Sequence, residues 1–238
     1  MACSVSESFA PDAAAMLSSL VRSNPPAEVH VHLLHDDSLS SGSVRQLAQI
    51  VERAGGTCAP RPVDPARAAA LPASDRFPRL TWYRMLLPEL LPDLSRALYL
   101  DTDTLVVAPL QPLWQTDLGD HWLAAVTNPL FPSMRRRIEA DLGLPGGAPY
   151  FNSGVLLLDL DAWRANDVTE RVLEVVASGV PIVWPDQDAL NAVLHEHWLP
   201  LHPRWNAMPA LFELPRRHAP HPATLVREAV ADPAVVHF

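Results

Sequence analysis

The sequence contains no lysine, so all 18 of its basic residues are arginines, set against 27 acidic ones for a net charge of −9. A protein that grips a nucleic-acid backbone needs a basic face, and this balance excludes a general nucleic-acid partner. The one basic cluster, Arg135, Arg136 and Arg137, reads as a solvated helix face. Only two cysteines occur, Cys3 and Cys58, too few for a disulfide framework, and both are expected as reduced thiols of a cytoplasmic protein. No apolar run reaches the length of about 18 residues that a membrane-spanning helix needs. The start, MACSVSESFAP, lacks the basic and long apolar stretches of a signal peptide, so the expectation is cytoplasmic, with peripheral membrane contact left open. No internal repeat or long linker divides the chain. Its 238 residues, 48% hydrophobic, are expected to form one domain over 1–238. The 25 prolines, with many alanines and arginines, look like high-GC genome bias.

Strand-like and helix-like segments alternate. Ala2–Val5 is a short apolar start, and Pro11–Ser23 has the 3.6-residue period of an amphipathic helix. EVHVHLLHD reads as a strand, SSGSVRQLAQIVERAGG as a helix, and TCAPRPV as a third strand. Such a βαβαβ opening implies a parallel sheet with crossover helices. RLTWYRMLLPELL reads as a helix leading into the strand RALYLDTD; HWLAAVT and SGVLLLDL read as strands, VTERVLEVVAS and DQDALNAVLHE as helices. The proline-rich stretch after His202 and the segments LPASDRFPRL and PLFPSMRRRIEADLGLPGGAPY read as irregular.

In such a sheet, ligands gather beyond the carboxyl ends of the strands. Asp101 and Asp103 fall at that end of a central strand, and residues two apart in an extended chain share a face. Two carboxylates so placed suit a hard divalent cation, Mn²⁺ or Mg²⁺, which can carry a diphosphate. The same triplet fits a plain turn. His30 and His32 share one face of a strand and could ligate a metal, but their apolar flanks read as an ordinary strand. Trp82, Trp163 and Trp205 could stack on sugars or simply pack. Asp186 and Asp188 follow Pro185, where carboxylates stabilise a first helical turn without any further role.

Taken in order, YRMLLPELLP, RALYLDTDTLV, PLWQTDLGDHWLAAV, YFNSGVLLLDLDAWR, WPDQDALNAVL, LHPRWNAMP and VVHF resemble glycosyltransferase family 8, the nucleotide-sugar-dependent group that includes lipopolysaccharide hexosyltransferases and glycogenin. The resemblance covers nearly the whole chain. It implies a GT-A fold, a Rossmann-like α/β arrangement with a mixed central sheet flanked by helices. It also implies transfer of glucose or galactose from a UDP-sugar donor to an acceptor hydroxyl with retention of configuration. Asp101, Asp103 and His237 match the family's metal ligands, with Asp101 also near the ribose. Arg84 and Asn152 match donor contacts, while Asp186 and Gln187 match the pair beneath the transferred sugar. An amide is a poor nucleophile, which favours front-face attack by the acceptor over a covalent intermediate.

Two departures stand beside these matches. Ser6, Ser8 and Phe9 occupy the first strand's end, where the family has other polar residues around the base and ribose, although Phe9 can stack on a base. The family's Lys-Pro-Trp element has no counterpart after Phe238, so the expectation is a domain clipped at the first strand and lacking that tail. A non-catalytic sugar-nucleotide-binding relative is therefore one alternative. A haloacid-dehalogenase-like phosphatase, with Asp101 as phosphoryl acceptor, is another, weighed against by the motif's mid-chain position and the absence of lysine.

Overall fold

A computed structural model describes residues 1–73, 77–213 and 220–238. Nine strands are present among them: β1 Ala2–Ser4, β2 His30–His35, β3 Thr57–Pro62, β4 Arg96–Leu100, β5 Thr104–Val106, β6 Leu123–Thr127, β7 Phe151–Asp159, β8 Trp198–Pro200 and β9 Val235–His237. Seven make one sheet in the order β3-β2-β1-β4-β7-β6-β8. Strands β3, β2, β1 and β4 run parallel, joined by the crossovers that the alternating opening requires. Strand β7 is antiparallel to both β4 and β6, which makes the sheet mixed.

The uninterrupted apolar run of β4 follows from burial on both faces. Ala97 and Tyr99 enter one hydrophobic layer and Leu98 and Leu100 the other. Strand β7 divides in the same way, with Leu156 and Leu158 on one side and Val155 and Leu157 on the other. Residues Ala10–Ser23 and Ser41–Arg53 form the expected helices, the second capped by Ser40, whose hydroxyl accepts from the Ser43 N–H at 3.1 Å.

Four sequence expectations are corrected. Residues Arg79–Leu86 form a 3₁₀-helix and only Leu87–Leu90 is α-helical. Pro88 accounts for this: it has no N–H for the carbonyl of Arg84, which is taken instead by the N–H of Leu87. The segment PLFPSMRRRIEADLGLPGGAPY is not irregular throughout but holds the helix Pro132–Leu142, closed by Gly143 in the left-handed region at φ 66°, and the arginine triplet lies on it as the helix face read from the sequence. The stretch after His202 contains a 3₁₀ turn at Pro203–Asn206, helices Pro209–Glu213 and Ala223–Ala231, and β9. Its prolines open helices rather than break them, Pro203 and Pro209 as first residues and Pro222 as a cap. Residues 214–219 of that stretch, and 74–76 of LPASDRFPRL, lie outside the described residues. Finally, β4 ends at Leu100, so Asp101 and Asp103 belong to a turn beyond the strand.

No described helix is long and apolar enough to cross a membrane.

Candidate active site

The turn after β4 and the short sheet β5-β9 build one corner of the site. Within the turn, Thr104 Oγ1 donates to the Asp101 carbonyl at 2.8 Å. Thr102 and Asp103 form the turn that this bond spans, so the two carboxylates converge through a turn rather than through strand alternation. Strand β5 pairs antiparallel with β9 in a register that sets Thr104 opposite His237. The Phe238 N–H donates to the Asp103 carbonyl at 3.0 Å, which carries the His237 ring beside Asp103, with Nε2 3.3 Å from Asp103 Oδ1.

One donor atom from each of Asp101, Asp103 and His237 lies within 4.8 Å of the other two. Two carboxylate oxygens and one imidazole nitrogen fit a hexacoordinate cation with positions left for ligand oxygens, and the imidazole favours Mn²⁺ over Mg²⁺. Gly154 makes room for this corner. A Cβ there would overlap His237 Cε1 and stand 2.9 Å from both Asp101 Oδ2 and His237 Nδ1. Glycine inside a strand marks such a close approach.

Arg84 lies behind the carboxylates, 4% exposed. Its Nη2 donates to Asp101 Oδ1 at 2.8 Å, its Nε lies 3.4 Å from Asp186 Oδ2, and Nη1 donates to the Ser153 carbonyl. The guanidinium also stacks over Tyr99, whose hydroxyl donates to Asp101 Oδ1 at 3.0 Å. Asp101 Oδ1 is thus committed to Arg84 and Tyr99, which leaves Oδ2 beside His237. Burial opposes the Arg84 charge, but Asp101, Tyr99 and Asp186 outweigh it and hold the guanidinium above its ordinary value. Burial pushes the Asp186 carboxyl up despite Arg84 and the Ser153 hydroxyl, which donates to it at 3.0 Å. At the exposed corner, His237 is raised and Asp103 lowered, because their mutual attraction exceeds the burial that opposes both charges.

A third layer consists of amides. Gln187 Oε1 accepts from Asn152 Nδ2 and from the Ser153 N–H, each at 3.0 Å. Gln187 Nε2 donates to the Tyr150 hydroxyl at 3.0 Å, and that hydroxyl donates to Asp188 Oδ1. Asp188 Oδ2 accepts from the N–H groups of Val183 and Trp184, so for Asp188 the helix-capping role read from the sequence holds. Pro185 and Trp184 start the helix Pro185–Leu194, which carries Asp186, Gln187 and Asp188 inward.

Seven of the residues singled out from the sequence therefore meet: Arg84, Asp101, Asp103, Asn152, Asp186, Gln187 and His237. Ser6 and Ser8 instead bond each other at 3.1 Å, and neither they nor Phe9, 41% exposed, bonds to this cluster. His32 Nδ1 accepts from Arg61 at 3.3 Å, a cation where a metal would stand, and His30 Nδ1 is bonded to Thr57. Trp82 and Trp163 are core residues, while Trp205 packs half-buried beneath Arg204. Sequence reasoning missed Tyr99, Tyr150, Ser153, Gly154 and Asn206. Tyr99 and Gly154 had a signal, one standing two residues before Asp101 and the other being a glycine inside an apolar strand.

The family model described as glycosyl transferase family 8 matches residues 1–238. General stress protein A of Bacillus subtilis is 32% identical over 175 residues, 69% of this chain and 58% of that protein. The lipopolysaccharide 1,2-glucosyltransferase of Escherichia coli K12 is 27% identical over 182 residues, 75% of this chain and 53% of that protein. The chain thus spans a little over half the length of these curated relatives. Among solved structures, the galactosyltransferase LgtC in complex with donor and acceptor sugar analogues superposes with a TM-score of 0.84 and 29% identity, covering 100% of this chain and 86% of that one.

Proposed function

Because the chain belongs to glycosyl transferase family 8 and has its GT-A architecture, we propose that its 238 residues form one transferase domain that moves glucose or galactose from a UDP-sugar to an acceptor hydroxyl with retention of configuration. Membership in this family replaces the phosphatase alternative. The observation that carries the reading is the convergence of Asp101, Asp103 and His237 within 4.8 Å, directly before a buried Arg84 that pairs with Asp101 and Asp186.

These three residues would hold a divalent cation, Mn²⁺ in preference to Mg²⁺, which when bound would supply positive charge against the leaving diphosphate. Arg84 serves the same end from behind. It is fixed in place by four oxygen partners, the Thr81 and Ser153 carbonyls and the Asp101 and Asp186 carboxylates, and kept charged by the carboxylates, so it holds Asp101 in position without reorganising during reaction. Asn152 and Asp186 line the donor sugar. Gln187 orients rather than attacks: both lone pairs of Oε1 are occupied by N–H donors, leaving none for an anomeric carbon. Attack by the acceptor on the face that the diphosphate leaves follows, with a leaving-phosphate oxygen taking the proton. Ser6, Ser8 and Phe9 line the base and ribose, Phe9 offering a ring to stack upon. The transferase works in the cytoplasm.

The test is a panel of nucleotide sugars assayed for Mn²⁺-dependent hydrolysis and for thermal stabilisation. UDP-glucose or UDP-galactose should register with the parent and fail with Asp103→Ala. Stabilisation without turnover would favour the non-catalytic sugar-nucleotide binder, and no response to any nucleotide sugar would refute both.

A further inference from the structure

A continuous run of hydrogen bonds, buried at its Asp188 end and part-buried toward His237, leads from Asp188 through Tyr150, Gln187, Asn152 and Asn206 to His237, and its direction is fixed by two groups that can only donate. The Ser153 N–H donates to Gln187 Oε1 at 3.0 Å, and the Gly154 N–H donates to Asn152 Oδ1 at 2.9 Å. These main-chain bonds decide which end of each amide is oxygen. Asn152 Nδ2 then faces Gln187 Oε1, and Asn206 must present Nδ2 to Asn152 Oδ1, which it does at 2.7 Å. Turning the Asn206 amide over would set oxygen against oxygen. Asn206 Oδ1 therefore faces His237 Nδ1, at 2.9 Å, and a carbonyl oxygen can only accept.

The backbone holds the same pair together. The Ala207 N–H donates to the Val235 carbonyl at 2.8 Å, and the His237 N–H donates to the Ala207 carbonyl at 3.2 Å. Asn206 itself is fully buried at the end of the turn Pro203–Asn206.

We propose that Asn206 is a positioning residue: its side-chain oxygen fixes His237 as the Nδ1–H tautomer, so that the Nε2 lone pair is aimed at the cation between Asp101 and Asp103. The inference rests on the proposed metal site, and a metal-bound imidazole is characteristically oriented by an acceptor on its other nitrogen. Asn206 touches neither donor nor acceptor sugar in this role, and acts through His237.

The first measurement needs no variant of Asn206. Long-range ¹H–¹⁵N correlation spectra of metal-free Asp103→Ala, which removes the carboxylate that competes for the hydrogen at Nε2, taken well above the imidazole titration and assigned with His237→Gln, should report His237 as the Nδ1–H tautomer. Finding the hydrogen on Nε2 overturns the proposal. The second is titration with Mn²⁺ alone, followed by electron paramagnetic resonance. Asn206→Leu, which keeps the branched shape without the acceptor, should weaken Mn²⁺ binding by about 10- to 100-fold. Asn206→Asp, whose carboxylate still accepts from Nδ1 but sets its other oxygen against Asn152 Oδ1, should lose less Mn²⁺ affinity than Asn206→Leu and keep the Nδ1–H tautomer. Parent-like affinity in Asn206→Leu, or an equal loss in both variants, refutes the assignment; if Asn206→Leu does not fold, the tautomer and Asn206→Asp decide it. Absence of Mn²⁺ binding by the parent, together with the expected tautomer in Asp103→Ala, would defeat the metal reading and leave the wiring intact.

Discussion

Replacing Gly154 by alanine sets two effects of opposite sign against each other. In a strand position free of positive φ, glycine to alanine ordinarily stabilises by about 0.4–1 kcal/mol, because the unfolded chain loses freedom. Here the added methyl would overlap His237 Cε1 and press on Asp101 Oδ2 and His237 Nδ1, both 2.9 Å from its position. The ring cannot withdraw cheaply, since Asn206 holds Nδ1, Asp103 faces Nε2, and β9 is hydrogen-bonded on both sides. Overpacking of this kind costs about 1–3 kcal/mol. A net loss of about 1–2 kcal/mol should lower the melting temperature by about 2–8 °C for a chain of this size. The displacement falls on two of the three candidate ligands, so Mn²⁺ affinity should drop further than stability, by at least tenfold. Calorimetric melting and Mn²⁺ titration of the same preparation check both. Gly154→Ala melting at or above the parent, with Mn²⁺ affinity unchanged, would refute the geometry assigned to this corner.

Arg84→Ala leaves Asp101 and Asp186 without their cation and should cost about 3–5 kcal/mol in chemical denaturation; a parent-like midpoint would contradict the buried pairing. Asp103→Ala should abolish Mn²⁺ binding while shifting stability by only about 0.5 kcal/mol, because its side chain is 47% exposed. Asp188→Ala should do the reverse in proportion, costing about 2–4 kcal/mol through the lost Tyr150, Val183 and Trp184 bonds; the two variants are compared by melting and titration. In the metal-free protein, His237 is raised above 6.5, so its contribution is complete below that value and fades as pH rises through the folded titration. Asp103 is lowered beneath 3.8, so its contribution is present above that value and is lost as pH falls through the folded titration. Metal-free stability from this pair should therefore be greatest between the two. Mn²⁺ affinity should rise as His237 deprotonates, with proton release measurable by calorimetry in buffers of different ionisation enthalpy.

The parts of the fold legible in the sequence are those where burial imposes a period or an unbroken apolar run. Strand β4 announced itself because both its faces are covered, and the amphipathic helices because only one is. Strands β5 and β9 gave no such signal: each has three residues, and they exist through pairing across more than a hundred positions. The prolines misled in two directions. Pro88 turns a helical pattern into a 3₁₀ segment, whereas Pro132, Pro203 and Pro209 start helices in stretches that read as irregular. The charged members of the candidate site were legible through their chemistry and the resemblance in which they stand. Asn206 was not, because a buried asparagine acquires meaning only from the partner that its carbonyl faces.

The amide at position 187 illustrates what that wiring demands. Gln187 must accept from two N–H groups and at the same time donate to the Tyr150 hydroxyl, which in turn donates to Asp188. A carboxylate in its place could satisfy the first demand but not the second. Tyr150 has a single hydrogen, and a glutamate there would compete for it with Asp188, leaving two buried carboxylates around one hydroxyl. Burial already pushes Asp188 up, and a second negative charge would push one of the pair to protonate. Glutamine is thus the residue that keeps every link of the run donating in one direction, from the ring that faces Asp103 inward to Asp188. The bonds it makes within the protein occupy both lone pairs of Oε1, and a nucleophile's free lone pair is what those bonds remove.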